Sequence, residues 1–215
     1  MECLLFQRSA ISSLGERLVG AAVWSLADSC LMQPACFEEN QLTLRQREKT
    51  MKKIGLLSDT HGVWDEKFEV YFAPCDEIWH AGDIGSLELA NRFETMKPFR
   101  AVYGNIDDYS TRITYPQTLR FTLEEVEVLM THIGGYPGRY DPSIRSQLYA
   151  RTPKLFIAGH SHILKVIYDE KLKCLHMNPG AAGKYGFHRV RTLLRFVLEE
   201  GDIRDLEVIE IGKQG

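Results

Sequence analysis

Five times between residues 51 and 162 a short apolar run breaks off into a polar cluster drawn from the same few residue types. The clusters read Asp59-Thr60-His61, Gly82-Asp83, Gly104-Asn105-Ile106-Asp107, Thr131-His132 and Gly159-His160-Ser161-His162. The runs themselves, at 54–57, 77–80, 99–103, 126–132 and 154–158, have the length and the β-branched and aromatic content of buried strands. Stretches 64–72 and 87–96 between the first three read as helices, the second with Ser86 as N-cap but with Leu89 where a capping box would need an acid or amide. That is the β-α-β-α rhythm of a parallel sheet. Open α/β sheets gather their sites at strand ends, so all five clusters are expected on one edge.

Strands take over further along. Residues 119–123 and 126–132 read as a hairpin-like pair, 142–150 as a helix, and 164–168, 174–176, 190–198 and 203–209 as further strands. The last two flank Glu199-Glu200-Gly201-Asp202, a hairpin turn. The expected fold class is α/β, a four-layer α-β-β-α sandwich of two mixed β-sheets flanked by helices.

The 215 residues are enough for one sizeable core and too few for two ordinary domains with linkers. Composition shifts near residue 51. Residues 1–50 show no strand-like alternation, carry no recognisable chemistry and end in a polar run. Met51-Lys52-Lys53 then leads into the first apolar strand. The chain is therefore divided into an N-terminal extension, 1–50, and a domain, 51–215, with Met51 as the expected start of the working protein. Residues 18–27, following Arg8 and Arg17, have the faint outline of a signal peptide, interrupted by Glu16. No run of about 18 apolar residues is present, so no membrane span is expected. A net charge of −3 calls for neither a nucleic-acid nor a membrane partner. Five cysteines without a CxxC pair are read as free thiols in a reducing, cytoplasmic setting.

Taken singly, each polar cluster is also an ordinary turn, and a lone histidine after a strand is more often structural than a ligand. Leaving Asp107 aside, as a set they supply four histidines, two aspartates and an asparagine, more than one ion needs. Nitrogen and oxygen donors without thiolates suit Mn²⁺, Fe²⁺, Ni²⁺ or Zn²⁺.

In order and content the five blocks, D-x-H, GD, GN, H and GH-x-H, resemble those of the calcineurin-like metallophosphoesterase superfamily. Chain length and Asn178-Pro179-Gly180 look most like its small bacterial and archaeal (YfcE-type) phosphodiesterase branch. The resemblance runs from about Met51 to the C-terminus. It implies a metal-dependent phosphoesterase, with diesters favoured, that attacks a small-molecule phosphate ester with a hydroxide held between two divalent ions, Mn²⁺ first among them. Carried over position by position, it implies Asp59, His61 and His162 on one ion, Asn105, His132 and His160 on the other, and Asp83 bridging, with Asp83, Asn105 and His132 as the catalytic set.

Asp107 and Asn178 are candidates to orient these ligands. The loop after His132, with Tyr136, Arg139 and Tyr140, is the expected place for substrate contacts, Arg139 pairing with a phosphate oxygen. Lys184, Arg189 and Arg191 are further candidates on the same edge, against a plain reading as solvated basic residues. His80, His176 and His188 have no place in the scheme, although His80 is close enough to Gly82-Asp83 to stand behind it. Many superfamily members carry histidine directly after the ligand asparagine, able to protonate the leaving oxygen, whereas here Ile106 can do nothing of the kind. The alternative from another class is a non-catalytic scaffold of the same fold, the use to which the small subunit of the retromer coat puts it. A mononuclear hydrolase is a second alternative. Oligomeric state is not readable at this level.

Overall fold

A computed structural model of the chain describes residues 51–213. The extension 1–50, with its signal-like stretch and Cys3, Cys30 and Cys36, lies outside the described residues, as does the proposed break at Met51 except for the strand that begins there.

Two mixed five-stranded sheets form the body. The first is built from β1 (Met51–Leu57), β2 (Glu77–His80), β3 (Phe99–Ala101), β11 (Val190–Glu199) and β12 (Asp202–Lys213), in the order β12-β11-β1-β2-β3. Within it β1, β2 and β3 are mutually parallel and β11 runs antiparallel to β1. The second contains β4 (Thr118–Leu123), β5 (Val126–Thr131), β8 (Leu155–Ile157), β9 (Leu164–Asp169) and β10 (Cys174–Pro179), in the order β4-β5-β8-β10-β9. Its centre, β5-β8-β10, is parallel, and both of its edges pair antiparallel.

Side-chain alternation sorts the core into layers, because successive residues of a strand face opposite ways. Ile54, Leu56 and Trp79 of the first sheet meet Val128, Met130, Leu155, Ile157 and Met177 of the second. The opposite face of the first sheet, with Leu57 and Ile78, is covered by Phe68 and Phe72 of α1 (Lys67–Phe72) and Phe93 of α2 (Leu87–Met96). The outer face of the second sheet packs Leu129 and Phe156 on Ile144 and Leu148 of α4 (Pro142–Ala150). The result is the expected α-β-β-α sandwich. No helix among the described residues is long and apolar enough to cross a membrane. Cys75 and Cys174 are buried free thiols in different outer layers, and burial pushes them up to about 11 and about 12 respectively.

Several boundaries differ from the sequence reading. Helix α1 starts at Lys67 rather than 64, since Asp65 accepts from the Lys67 amide and turns the chain first. The third strand stops at Ala101 rather than 103. Strand β10 runs on to Pro179, so Asn178 sits in its last turn of pleat, not in a following loop. Two elements escaped the pattern. The six-residue α3 (Tyr109–Thr114), capped by the Asp108 side chain on the Thr111 amide, is too short to show periodicity. The ribbon β6 (Gly135–Tyr136) and β7 (Arg139–Tyr140) orders the segment after His132 that read as a loop.

His176 on β10 gives the fold a pH-dependent stability. Its ring packs against Phe156 and Tyr136, and neither nitrogen has a hydrogen-bond partner. Burial, helped by Lys165, depresses its pKa to about 4. An unfolded histidine titrates near 6.5, so between those values the unfolded chain binds the extra proton. The contribution is therefore fully present above about pH 6.5 and is lost as pH falls towards 4. In metal-free protein, His176→Phe is expected to close part of the gap in melting temperature between pH 7 and pH 5. Parallel melting curves for the two proteins across that range would show that His176 is not the titrating group.

Candidate metal centre

The predicted ligands come from the ends of five strands. Asp59 and His61 follow β1, Asp83 follows β2, Asn105 follows β3, His132 follows β5, and His160 and His162 follow β8. Five of the seven, namely Asp59, His61, Asp83, His160 and His162, hold left-handed backbone with φ between 50° and 68°. Each costs a non-glycine residue on the order of 1 kcal/mol, a strain that persists only where the surroundings over-determine it. Here the left-handed turns bring polar side chains back over the strand ends.

Two groups of donor atoms result. In the first, one ligand atom from each of Asp59, His61 and His162 lies within 4.8 Å of the others; in the second the same holds for Asp83, His132 and His160. Asp59 Oδ1 is 3.1 Å from His162 Nε2 and 4.0 Å from His61 Nε2, and those two nitrogens are 3.3 Å apart. His132 Nε2 joins the groups, being 3.2 Å from Asp83 Oδ1, 3.2 Å from Asn105 Oδ1 and 3.9 Å from Asp59 Oδ1.

Asp59 Oδ1 is buried with no hydrogen-bond partner, a costly state for a carboxylate oxygen unless a cation completes it. His132 Nδ1 lies 2.8 Å from the Ala81 carbonyl, which only accepts, so Nδ1 carries a proton and Nε2 is the nitrogen that would give its lone pair to a cation once its own proton, shared with Asp83 in the metal-free site, is displaced. The donor set fits divalent ions of the harder, first-row kind, and it contains no thiolate.

Electrostatics agree with that fit. Burial opposes charge on both members of the Asp83–His132 pair. It is outweighed at Asp83 by the hydrogen bond from His132 and the Ile106 amide, which hold the carboxyl below its ordinary range. At His132 it is outweighed by Asp83 and Asp59, which raise the ring above the ordinary histidine value. Two buried carboxylates thus generate a field that a bound cation would relieve.

Behind the donors lies a second set of contacts. Asp59 Oδ2 accepts from the His160 amide, 3.1 Å, tying the first cluster to the last. Asp107 is buried, and its two oxygens accept from the Gly85 and Gly104 amides, both 2.7 Å. It therefore clamps the Gly82-Asp83 loop to the Gly104-Asn105 loop. Asn178 Nδ2 donates to the Gly159 carbonyl at 2.8 Å and to Ser161 Oγ at 3.1 Å, bracing the turn that carries His160 and His162. Gly104 packs so closely that a Cβ there would stand 2.0 Å from Asp83 Oδ1 and 2.3 Å from its backbone nitrogen.

Two histidines left unassigned by the sequence also belong here. His80 Nδ1 accepts from the Gly82 amide, so Nε2 carries the proton and donates to Thr60 Oγ1 at 2.9 Å. It links the turns bearing Asp59 and Asp83, and burial holds the ring neutral with a pKa of about 4. His188 Nε2 donates to the Gly183 carbonyl while its ring meets His162 edge-on, centroids 5.3 Å apart. Between them Gly186 has φ +128, and a Cβ there would be 2.1 Å from His162 Nδ1. The crowded glycines at 180, 183 and 186 were the only sequence hint of this close approach. The same loop sets Tyr185 edge-on to His61 and leaves Phe187 fully exposed.

Two open cavities flank the second donor group and share Ile133 and Asp141. One, of about 470 Å³, is bordered by Tyr103, Asn105, Gln117 and His132. The other, of about 520 Å³, is bordered by Tyr136, Arg139, Arg145 and His160. Arg139, expected near substrate, thus lines the site's edge and touches none of the donors. Arg191 is elsewhere: its guanidinium binds Asp65 at 2.8 Å and the Ala182 carbonyl, so it is buried structure.

The sequence profile of the calcineurin-like phosphoesterase superfamily domain matches residues 51–201. A "probable metallophosphoesterase" of Methanothermobacter thermautotrophicus is 29% identical over 136 residues, 60% of this chain and 76% of that protein. Among solved structures, a predicted phosphoesterase of Streptococcus pneumoniae superposes with TM-score 0.57 at 20% identity, covering 75% of this chain and 90% of the other. Vps29 of Entamoeba histolytica, solved with Zn²⁺, superposes with TM-score 0.55 at 15% identity, covering 74% and 98%.

Proposed function

The chain belongs to the calcineurin-like phosphoesterase superfamily, and from that premise we propose that it hydrolyses a small-molecule phosphodiester with two divalent ions, Mn²⁺ first among them. Asp59, His61 and His162 would hold one ion, Asn105, His132 and His160 the other, with Asp83 a ligand available to both. The observation that carries this reading is the buried, unpartnered Asp59 Oδ1 facing histidine nitrogens, with His132 Nε2 linking it to the Asp83 group.

When bound, such a pair supplies positive charge for a phosphoryl transition state and lowers the pKa of water from 15.7 towards about 7. The chain's residues do the positioning. His132, with Nδ1 donating to the Ala81 carbonyl, turns Nε2 towards the other donors. Asp107 and Asn178 hold the Asn105 and His160–His162 turns so that little reorganisation is left for the reaction. Arg139, at the rim of the cavity beside His160, pairs with an anionic oxygen on the substrate arm that extends there.

A diester is favoured over a monoester on two grounds. Cavities of about 470 and 520 Å³ to either side of the second group leave room for two organic arms. Ile106, half-exposed at the site's mouth, offers no proton to a poor leaving group, which suits substrates whose leaving group departs with little help.

The test is hydrolysis of bis(p-nitrophenyl) phosphate and p-nitrophenyl phosphate by metal-stripped protein, with Mn²⁺, Ni²⁺, Fe²⁺ or Zn²⁺ added back. Turnover is expected to vanish on stripping, return with metal and be faster on the diester. Absence of turnover with two ions bound would replace the enzyme by the non-catalytic scaffold. A bound stoichiometry near one, with turnover, would make it a mononuclear hydrolase.

A further inference from the structure

We propose that the cavity beside His160 is a subsite for a second anionic group, so that the preferred substrate carries a phosphate in addition to the one that is cleaved. The inference rests on the phosphodiesterase reading of the adjacent site.

The cavity is about 520 Å³, and two guanidinium groups, Arg139 and Arg145, line it opposite the His160–Ser161 turn. Arg139 projects from the short β6–β7 ribbon, and among the described residues its side chain makes no hydrogen bond or ion pair. Arg145, on α4, is held in place by one donation, Nη2 to the Tyr140 carbonyl at 2.8 Å, which leaves its other N–H groups available. The one carboxylate on the wall, Asp141, is already engaged: its Oδ1 accepts from the Ser143 amide and hydroxyl as the cap of α4.

The wall between these arginines and the donors is rigid. Tyr136 has Lys165 Nζ 4.4 Å from its ring centroid, meets His176 edge-on and donates its hydroxyl proton to Ser161 Oγ. Two positive groups, Arg145 anchored and Arg139 unpaired, therefore line the cavity against a single carboxylate, next to a donor histidine. Planar guanidinium groups match phosphate geometry, and a terminal phosphate carries close to two negative charges at neutral pH. The neighbouring cavity of about 470 Å³ has no such excess: its one arginine, Arg112, is spent on the Asn105 and Asp107 carbonyls. The charged arm of an asymmetric diester belongs on the His160 side and the uncharged arm on the Asn105 side.

A matched pair of chromogenic diesters tests this. Thymidine 5′-(p-nitrophenyl phosphate) and its 3′-phosphorylated counterpart differ only in the second phosphate. The 3′-phosphorylated ester is expected to have a KM at least about tenfold lower on the Mn²⁺-loaded full chain. That ratio is expected to shrink to within about twofold in Arg139→Gln/Arg145→Gln. Because the ratio is taken within each protein, partial misfolding of the variant moves both substrates together and leaves it unchanged. Equal KM values in the unsubstituted chain, or a ratio kept in the variant, would overturn the subsite. Calorimetric binding of thymidine 3′,5′-bisphosphate against thymidine 5′-monophosphate reads the same preference without turnover. If neither diester is cleaved the phosphodiesterase reading fails, and the ratio of the two affinities still decides the subsite.

Discussion

Asp83→Asn is expected to lower metal-dependent hydrolysis by at least about 10²–10³-fold and to reduce the bound metal from two ions to one or fewer. The substitution keeps the volume of the side chain and an oxygen to accept the Ile106 amide, now 3.0 Å from Oδ1. What it removes is the negative charge, in a buried position 3.2 Å from His132 Nε2. With only Asp59 left as a carboxylate among the donors, the site would hold two divalent cations against one anionic ligand. The pKa of His132, raised by Asp83, is expected to fall in the metal-free variant, visible as a shift in its imidazole NMR titration. Metal content by elemental analysis and turnover on a diester are the decisive readings. A variant that keeps both ions and its rate would remove Asp83 from the centre of the chemistry.

Trp79→Ala is expected to cost about 3–5 kcal/mol of stability, the range for truncating a fully buried aromatic. Trp79 is the largest fully buried side chain among the described residues and sits between the two sheets, edge-on to Phe121 of β4 and Phe196 of β11. It is thus one of the contacts through which the sheets are held face to face. Its Nε1 donates to Glu77 Oε2 at 3.0 Å, an oxygen also held by Arg100 Nε at 2.7 Å, so the indole's loss strips one partner from a buried carboxylate. Since whole domains are stable by only about 5–15 kcal/mol, the variant should be close to unfolding at physiological temperature. Urea unfolding is the measurement. Trp79→Phe, which preserves most of the apolar volume but loses the hydrogen bond and part of the ring, should lie well above the alanine variant; equal losses for the two would mean that packing between the sheets is not the source.

Much of the fold could be read from residues alone because alternating strands repeat every two residues and the strands here are short, apolar and sharply ended. The pleat put Ile54 and Leu56 on one face and Leu57 on the other, as the layers of the sandwich require. Where local pattern is too short to register, the reading failed: α3 has six residues, and the β6–β7 ribbon has two residues per strand. Strand β10 was cut short because Met177-Asn178-Pro179 looks like a turn, yet pairing with Leu164, Lys165 and Val166 of β9 extends it.

The candidate donors were legible for a related reason. Each stands at the end of an apolar strand, where a polar residue has no cause to be unless it is solvated or used, and a parallel arrangement brings such ends together. Their partners were not. Asp107 could be read only as a candidate for orienting ligands; that its oxygens take the Gly104 amide of its own turn and the Gly85 amide of the preceding one is visible only in the fold. His80 joins the turn of Asp59, and His188 meets His162, through contacts made across 20 and 26 residues of chain. The two cavities depend on how α4 and the ribbon lie against the strand ends, which no residue pattern encodes.

The sequence by itself determined the layer order, the strand ends and the types of donor placed there, since those follow from alternation and local chemistry along a few consecutive residues. Only the tertiary structure decided which donors face one another, which oxygen is left without a partner and which side of the centre is positive. Those are properties of atoms brought within about 3–4 Å by segments distant in the chain, where hydrogen bonding and charge act through space.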